Sequence, residues 1–127
     1  MKFFIETERF ILRDIQVADV EGMFELDADP EVHKYLGNNP IQHKEQALDM
    51  IHFIRQQYDE HGIGRWAIID KATNAFIGWT GLKFVTDPIH IYVNFYDIGY
   101  RLIKRYWGKG IATETAEKSL SNAFNEL

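Results

Sequence analysis

From Trp107 to Thr113 the sequence reads WGKGIAT, a pair of glycines around a lysine, placed between an apolar strand-like run and a helical pattern. The first turn of a helix leaves several backbone N–H groups without partners, and these groups with the helix dipole attract an anion. Gly108 and Gly110 have no Cβ, so a phosphate can come close to the main chain there. Lys109 adds a positive charge, and Lys104 and Arg105 lie just before it. The chemistry these residues suit is the cradling of a phosphate or diphosphate. The same residues also suit a plain tight connection between strand and helix, because a lone glycine motif is weakly specific. Two nucleotide motifs are excluded. The G-x-x-x-x-G-K-[ST] loop is absent, and G-x-G-x-x-G fails because Thr113 stands at its last position.

Such a turn needs elements to hold it. ERFILRDI (Glu8–Ile15) alternates in part and reads as a strand. VADVEGMFELDAD carries Val17, Val20, Phe24 and Asp27 at helical spacing, with Ala18 and Met23 beside them, and reads as a helix weakened by Gly22. Asp29 before Pro30 is an N-cap followed by a proline at the first helical position, so PEVHKYL should form one or two short turns. GNNP (Gly37–Pro40) reads as a turn. A longer helix follows, with Ala47, Met50, Ile51, Ile54 and Tyr58 in one stripe and Gly62 and Gly64 at its end. RWAIID, AFIGWTGLKFV and IHIYVNFYDIGYRLI read as three consecutive strands joined at KATN and TDP. Gly78 and Gly81 suggest a bulge or close packing in the second of them. The last segment reads as a helix with Ala112, Ala116, Leu120, Ala123, Phe124 and Leu127 on one face. The fold class is α+β: a meander of antiparallel strands with helices before and after it to cover its two faces.

TERFILRDI, DPEVHKYL, IGWTGL and DIGYRLIKRYWGKGIATETA together resemble the Gcn5-related N-acetyltransferases (GNAT), in the branch of the ribosomal-protein alanine acetyltransferases. The resemblance covers essentially the whole chain and implies the mixed-sheet acyl-coenzyme A acyltransferase fold. The family's [Q/R]-x-x-G-x-[G/A] signature fits in two registers: Arg105–Gly108–Gly110, or Trp107–Gly110–Ala112 with tryptophan at the first position. The second is preferred, since it sets the signature at the helix start. By this resemblance the amides of Trp107, Gly108, Lys109, Gly110, Ile111, Ala112 and Thr113 hold the diphosphate of acetyl-coenzyme A. Ile98, Tyr100, Leu102 and Ile103 are implied beside its pantetheine arm. Gly99 is the implied site of irregular backbone, and an amide near Ile98–Tyr100 is the implied partner of the thioester carbonyl.

Acetylation of an amine needs a base for the ammonium, and Asp97, just before IGY, is the candidate. The alternative for Asp97 is a solvated or salt-bridged carboxylate. The acceptor would be a protein N-terminal amine or a small amine. Tyr35, Trp66 and Trp79 suit either an acceptor site or the core. The histidines show no metal-ligand spacing, so no metal is expected. The family fold normally continues past the last helix. The chain is therefore expected to be an incomplete domain, with an open strand edge that favours self-association. A non-catalytic coenzyme A-binding or interaction module is the competing reading.

Bulk properties narrow the field. At 127 residues the chain suits one domain. Its composition of 46% hydrophobic and 26% charged residues is that of a globular protein. A net charge of −5 gives no electrostatic support to nucleic-acid binding. The chain has no cysteine, which excludes disulfides and thiolate chemistry. No apolar run is long enough for a membrane span or signal peptide, so a cytoplasmic location is expected.

Overall fold

The computed structural model describes residues 4–34, 40–62, 64–85 and 95–126. Period-two alternation sets the sheet: on RWAIID, Trp66 and Ile68 face one side, Ala67 and Ile69 the other. The strands are β1 (Phe4–Glu6), β2 (Phe10–Asp14), β3 (Arg65–Asp70), β4 (Phe76–Val85) and β5 (Phe95–Leu102). They lie in the order β1-β2-β3-β4-β5, and each neighbouring pair is antiparallel. The predicted meander is present, with β2 added to it as a further antiparallel neighbour. β1 has no counterpart in the sequence reading. It folds back through a turn in which the Thr7 amide donates to the Phe10 carbonyl (2.9 Å) and the Phe10 amide to Thr7 Oγ1 (3.0 Å).

Helices cover both faces. On one lie α1 (Val20–Ala28), α2 (Pro30–His33) and α3 (Lys44–His61), which bury Met23, Leu26, Val32, Ala47, Ile51 and Ile54 against Ile15, Ala67, Ile69, Trp79 and Ile103. On the other, α4 (Ile111–Glu126) sets Ile111 against Phe10, Leu12, Trp66, Ile68, Ile77 and Leu102. In α3 the predicted stripe holds except at its rim, where Met50 is 37% exposed. Gly62 ends the helix with φ 74°, its amide bonded to the Tyr58 carbonyl (2.8 Å). Tyr58 is a joint between layers: its hydroxyl accepts the Ile15 amide (2.9 Å) and donates to the Arg65 carbonyl. Burial pushes this phenol above its ordinary pKa.

Several expectations are corrected. Val17 lies in a 3₁₀ turn (Val17–Asp19) and is exposed, while α1 buries Leu26 together with the expected Met23 and Asp27. Gly22 is a contact point: a Cβ there would meet the Phe76 ring at 2.5 Å. Among the described side chains of α4, Ile111, Thr115 and Ser119 are buried, while Ala112 and Ala116 of the predicted face are half-buried, Ala112 packing against the same cluster as Ile111. Thr115 suits a buried position because its hydroxyl donates to the Ile111 carbonyl one turn back (2.8 Å). The side chains of Leu120, Ala123, Phe124 and Leu127 lie outside the described residues.

Asp29 caps α2 as expected, accepting the Glu31 amide at 2.8 Å. The irregularity of the sheet lies between Ile68 and Ile69, where the β3–β4 register shifts. Gly99 is not irregular; it sits opposite Gly81 in a β4–β5 ladder that runs in register from Gly78↔Leu102 to Val85↔Phe95. The turn at KATN is present, with Asn74 at φ 60°. The predicted TDP turn and most of GNNP fall outside the described residues, as does the start of the third meander strand.

Candidate functional site

After Leu102 the chain leaves the sheet in a tight series of bonds. The Ile103 amide donates to the Ile77 carbonyl (3.0 Å) and its side chain enters the core on the α1–α3 face. A 3₁₀ turn, Lys104–Tyr106, follows. The Trp107 amide closes it on the Lys104 carbonyl (3.0 Å), and the Trp107 indole N–H donates to the Leu102 carbonyl (2.9 Å). Gly108 (φ 76°) and Gly110 (φ 73°) then take left-handed conformations that side chains rarely adopt. Space is not the constraint, since a Cβ on Gly108 meets nothing within 4 Å and one on Gly110 meets only the Arg9 guanidinium, at 3.9 Å. The first intrahelical bond of α4 runs from the Glu114 amide to the Gly110 carbonyl (3.1 Å). The amides of Ile111, Ala112 and Thr113 therefore precede any intrahelical acceptor.

This turn opens on a cleft of about 550 Å³ beside β5. Of the residues singled out in the sequence, the cleft gathers Tyr100, Leu102, Trp107, Gly108, Gly110, Ile111, Ala112 and Thr113. Ile103 is in the core instead. Lys109 lines a smaller cavity of about 320 Å³ with Arg9 and Tyr106, its ammonium 5.9 Å from the Tyr106 ring. Asp97 and Ile98 pair with Lys83 and Leu82 in the ladder, and their side chains lie outside the described residues. The Trp107 amide is already committed to Lys104, so the amides left to an anion begin at Gly108. Glu31, Val32, Arg101 and Tyr106 also line the cleft and were missed. Arg101 and Tyr106 lie within the stretch the sequence pointed to. Glu31 and Val32 arrive from α2, and no local pattern announces that.

Ion pairs fix the turn from both sides. Arg101 Nη1 holds buried Asp27 of α1 at 2.6 Å. Lys104 stands 3.8 Å from Glu31 of α2, and Arg105 is bonded to Glu25 of α1. Two of the three cations expected to face an anion, Lys104 and Arg105, are thus paired with carboxylates of α1 and α2. On the opposite side Arg9 reaches Glu114 (2.8 Å) and the Lys109 carbonyl (3.2 Å), and Thr7 Oγ1 donates to Glu114 (2.5 Å). Beneath the site, Arg65 lies 4.9 Å and Arg101 5.7 Å from the Trp79 ring. Burial, and then the neighbouring Arg101 charge, bring Arg65 down to about 10. Trp66 and Trp79 are core residues. Among the described residues, no group of three or more histidine, aspartate or glutamate side chains could hold a metal. No helix there is long and apolar enough to cross a membrane.

A family profile described as the Acetyltransferase (GNAT) domain matches residues 9–127. The chain is 34% identical over 121 residues to p20 of Bacillus licheniformis, an uncharacterised N-acetyltransferase, covering 95% of this chain and 66% of that protein. It thus spans about two-thirds of that relative's length. Among solved structures, a GNAT-family acetyltransferase from Bordetella pertussis superimposes with a TM-score of 0.81 at 17% identity, covering 96% of this chain and 71% of that one. RimL, a ribosomal L7/L12 α-N-protein acetyltransferase solved in complex with coenzyme A, superimposes with a TM-score of 0.63 at 18% identity, covering 97% and 66%. These last two likenesses concern the fold.

Proposed function

Because the chain belongs to the acetyltransferase (GNAT) domain family, we propose that it binds acetyl-coenzyme A in the β5 cleft and passes the acetyl group to a primary amine. The observation that carries this reading is the start of α4. The amides of Ile111, Ala112 and Thr113 have no intrahelical acceptor, follow two left-handed glycines, and line the cleft. A diphosphate suits that donor set. Tyr100 and Leu102 of β5 line the same cleft and suit an apolar, amide-bearing arm laid along the strand. When bound, the coenzyme supplies a thioester whose carbonyl an amine can attack directly.

This chain's own residues contribute binding and proton handling. The loop amides from Gly108 onward hold the anion, and backbone amides near Gly99 polarise the carbonyl. Asp97 takes the proton from the acceptor ammonium, directly or through water. The acceptor is a protein N-terminal amine or a small amine. The coenzyme complex of RimL supports the choice of ligand.

Calorimetry with acetyl-coenzyme A tests binding, and thiol release with a panel of amines tests transfer. Gly110→Trp should abolish binding, because its backbone is left-handed and its position lines the cleft. Asp97→Asn should spare binding and slow thiol release. Normal binding by Gly110→Trp would refute the cradle. Binding without thiol release would favour a coenzyme A-binding module instead.

A further inference from the structure

The mouth of α4 holds a built-in competitor for any anion. Glu114 lies in the first helical turn, where a carboxylate is attracted by the same dipole and amides that would hold a ligand's phosphates. Yet Glu114 does not line the cleft. It is drawn to the turn between β1 and β2, where Thr7 Oγ1 donates to Oε2 (2.5 Å) and Arg9 Nε to Oε1 (2.8 Å). The Arg9 amide adds a longer bond (3.3 Å), and its Nη2 also takes the Lys109 carbonyl (3.2 Å). We infer that Thr7 and Arg9 are positioning residues for the cradle: they hold the Glu114 carboxylate off the cleft, cancel its charge, and so leave the α4 amides open to an anionic ligand. The inference rests on the reading of the cleft as a coenzyme A site.

Two effects could follow from losing Arg9, and they separate cleanly. One is mechanical: the Lys109 carbonyl loses a support. The other is electrostatic: Glu114 becomes an unpaired anion at the helix mouth and repels the ligand. Removing the Glu114 charge as well cures the second and leaves the first. Coenzyme A binding is therefore measured by calorimetry for the full chain and for Arg9→Ala, Glu114→Gln and the double variant, each checked for folding by circular dichroism. Arg9→Ala should raise the dissociation constant roughly fivefold, the upper size expected of an exposed charge at a helix terminus. Glu114→Gln should bind at least as tightly as the parent. The double variant should regain most of the loss. Should Arg9→Ala fail to fold, Arg9→Gln takes its place, since it keeps an amide donor for Lys109 while losing the charge. A parent chain that ignores coenzyme A refutes the reading of the cleft, and this inference with it. A parent that binds, beside a double variant as weak as the Arg9 variant, refutes this inference alone.

Discussion

Glu114 makes the clearest case at the scale of single residues. Partial burial pushes its carboxyl upward, and the hydrogen bonds from Thr7 and Arg9 more than reverse that, so its pKa sits below the ordinary carboxylate value. A carboxyl depressed in the folded state stabilises the fold above its unfolded pKa, and loses that contribution as the pH falls through the folded value. The thermal midpoint of the parent should therefore exceed that of Glu114→Gln at neutral pH, and the gap should narrow as the pH falls through and below the ordinary carboxylate range. A gap that is constant with pH would show that the Glu114 charge does not matter to stability. Arg65 behaves differently. Lowered only to about 10, it keeps its charge at neutral pH and takes no part in that titration. None of this was legible in the sequence: Arg9 and Glu114 are 105 positions apart, and no local pattern couples them.

At the scale of elements the sequence was more informative, because strands and caps are local. The three meander strands were runs rich in apolar residues joined at turn residues, and Asp29–Pro30 announced α2. β1 was missed because three residues offer no period to read. On α4, Thr115 and Ser119 are buried with Ile111 among the described side chains, and hydrophobic spacing does not register such polar positions. Gly78 shows how tightly two elements meet. A Cβ there would lie 2.1 Å from the Arg101 carbonyl oxygen, a backbone atom that cannot swing aside, and φ is 156°. Gly78→Ala should cost about 3 kcal/mol and loosen β5 from β4. Gly62→Ala, strained in φ but with open space around it, should cost only about 1 kcal/mol. Urea midpoints of the two variants measure the contrast, and equal losses would contradict it.

For the molecule as a whole, the described sheet ends in two unlike borders. β1 is a strand of 3 residues, whereas β5 is one of 8 and lies beside the cleft. A long open border is a template for another strand. Self-association through β5 is the expected behaviour of this chain, and sedimentation velocity checks it; a stable monomer at tens of micromolar would refute it. The helix layers differ as well: α1 and α2 grip the β5 turn through Asp27, Glu25 and Glu31, while α4 is anchored to the first strands through Glu114. The site was legible as a stretch of chain but not as an enclosure, because its other walls come from distant segments. One residue of that stretch has a use of another kind. Trp66 and Trp79 are 3% and 5% exposed, while Trp107 is 44% exposed and its indole is pinned at the lip of the cleft. The protein thus carries a fluorophore at the proposed binding site. An aqueous quencher reaches that indole and spares the two in the core, so the shielded fraction of the emission reports directly how full the cleft is.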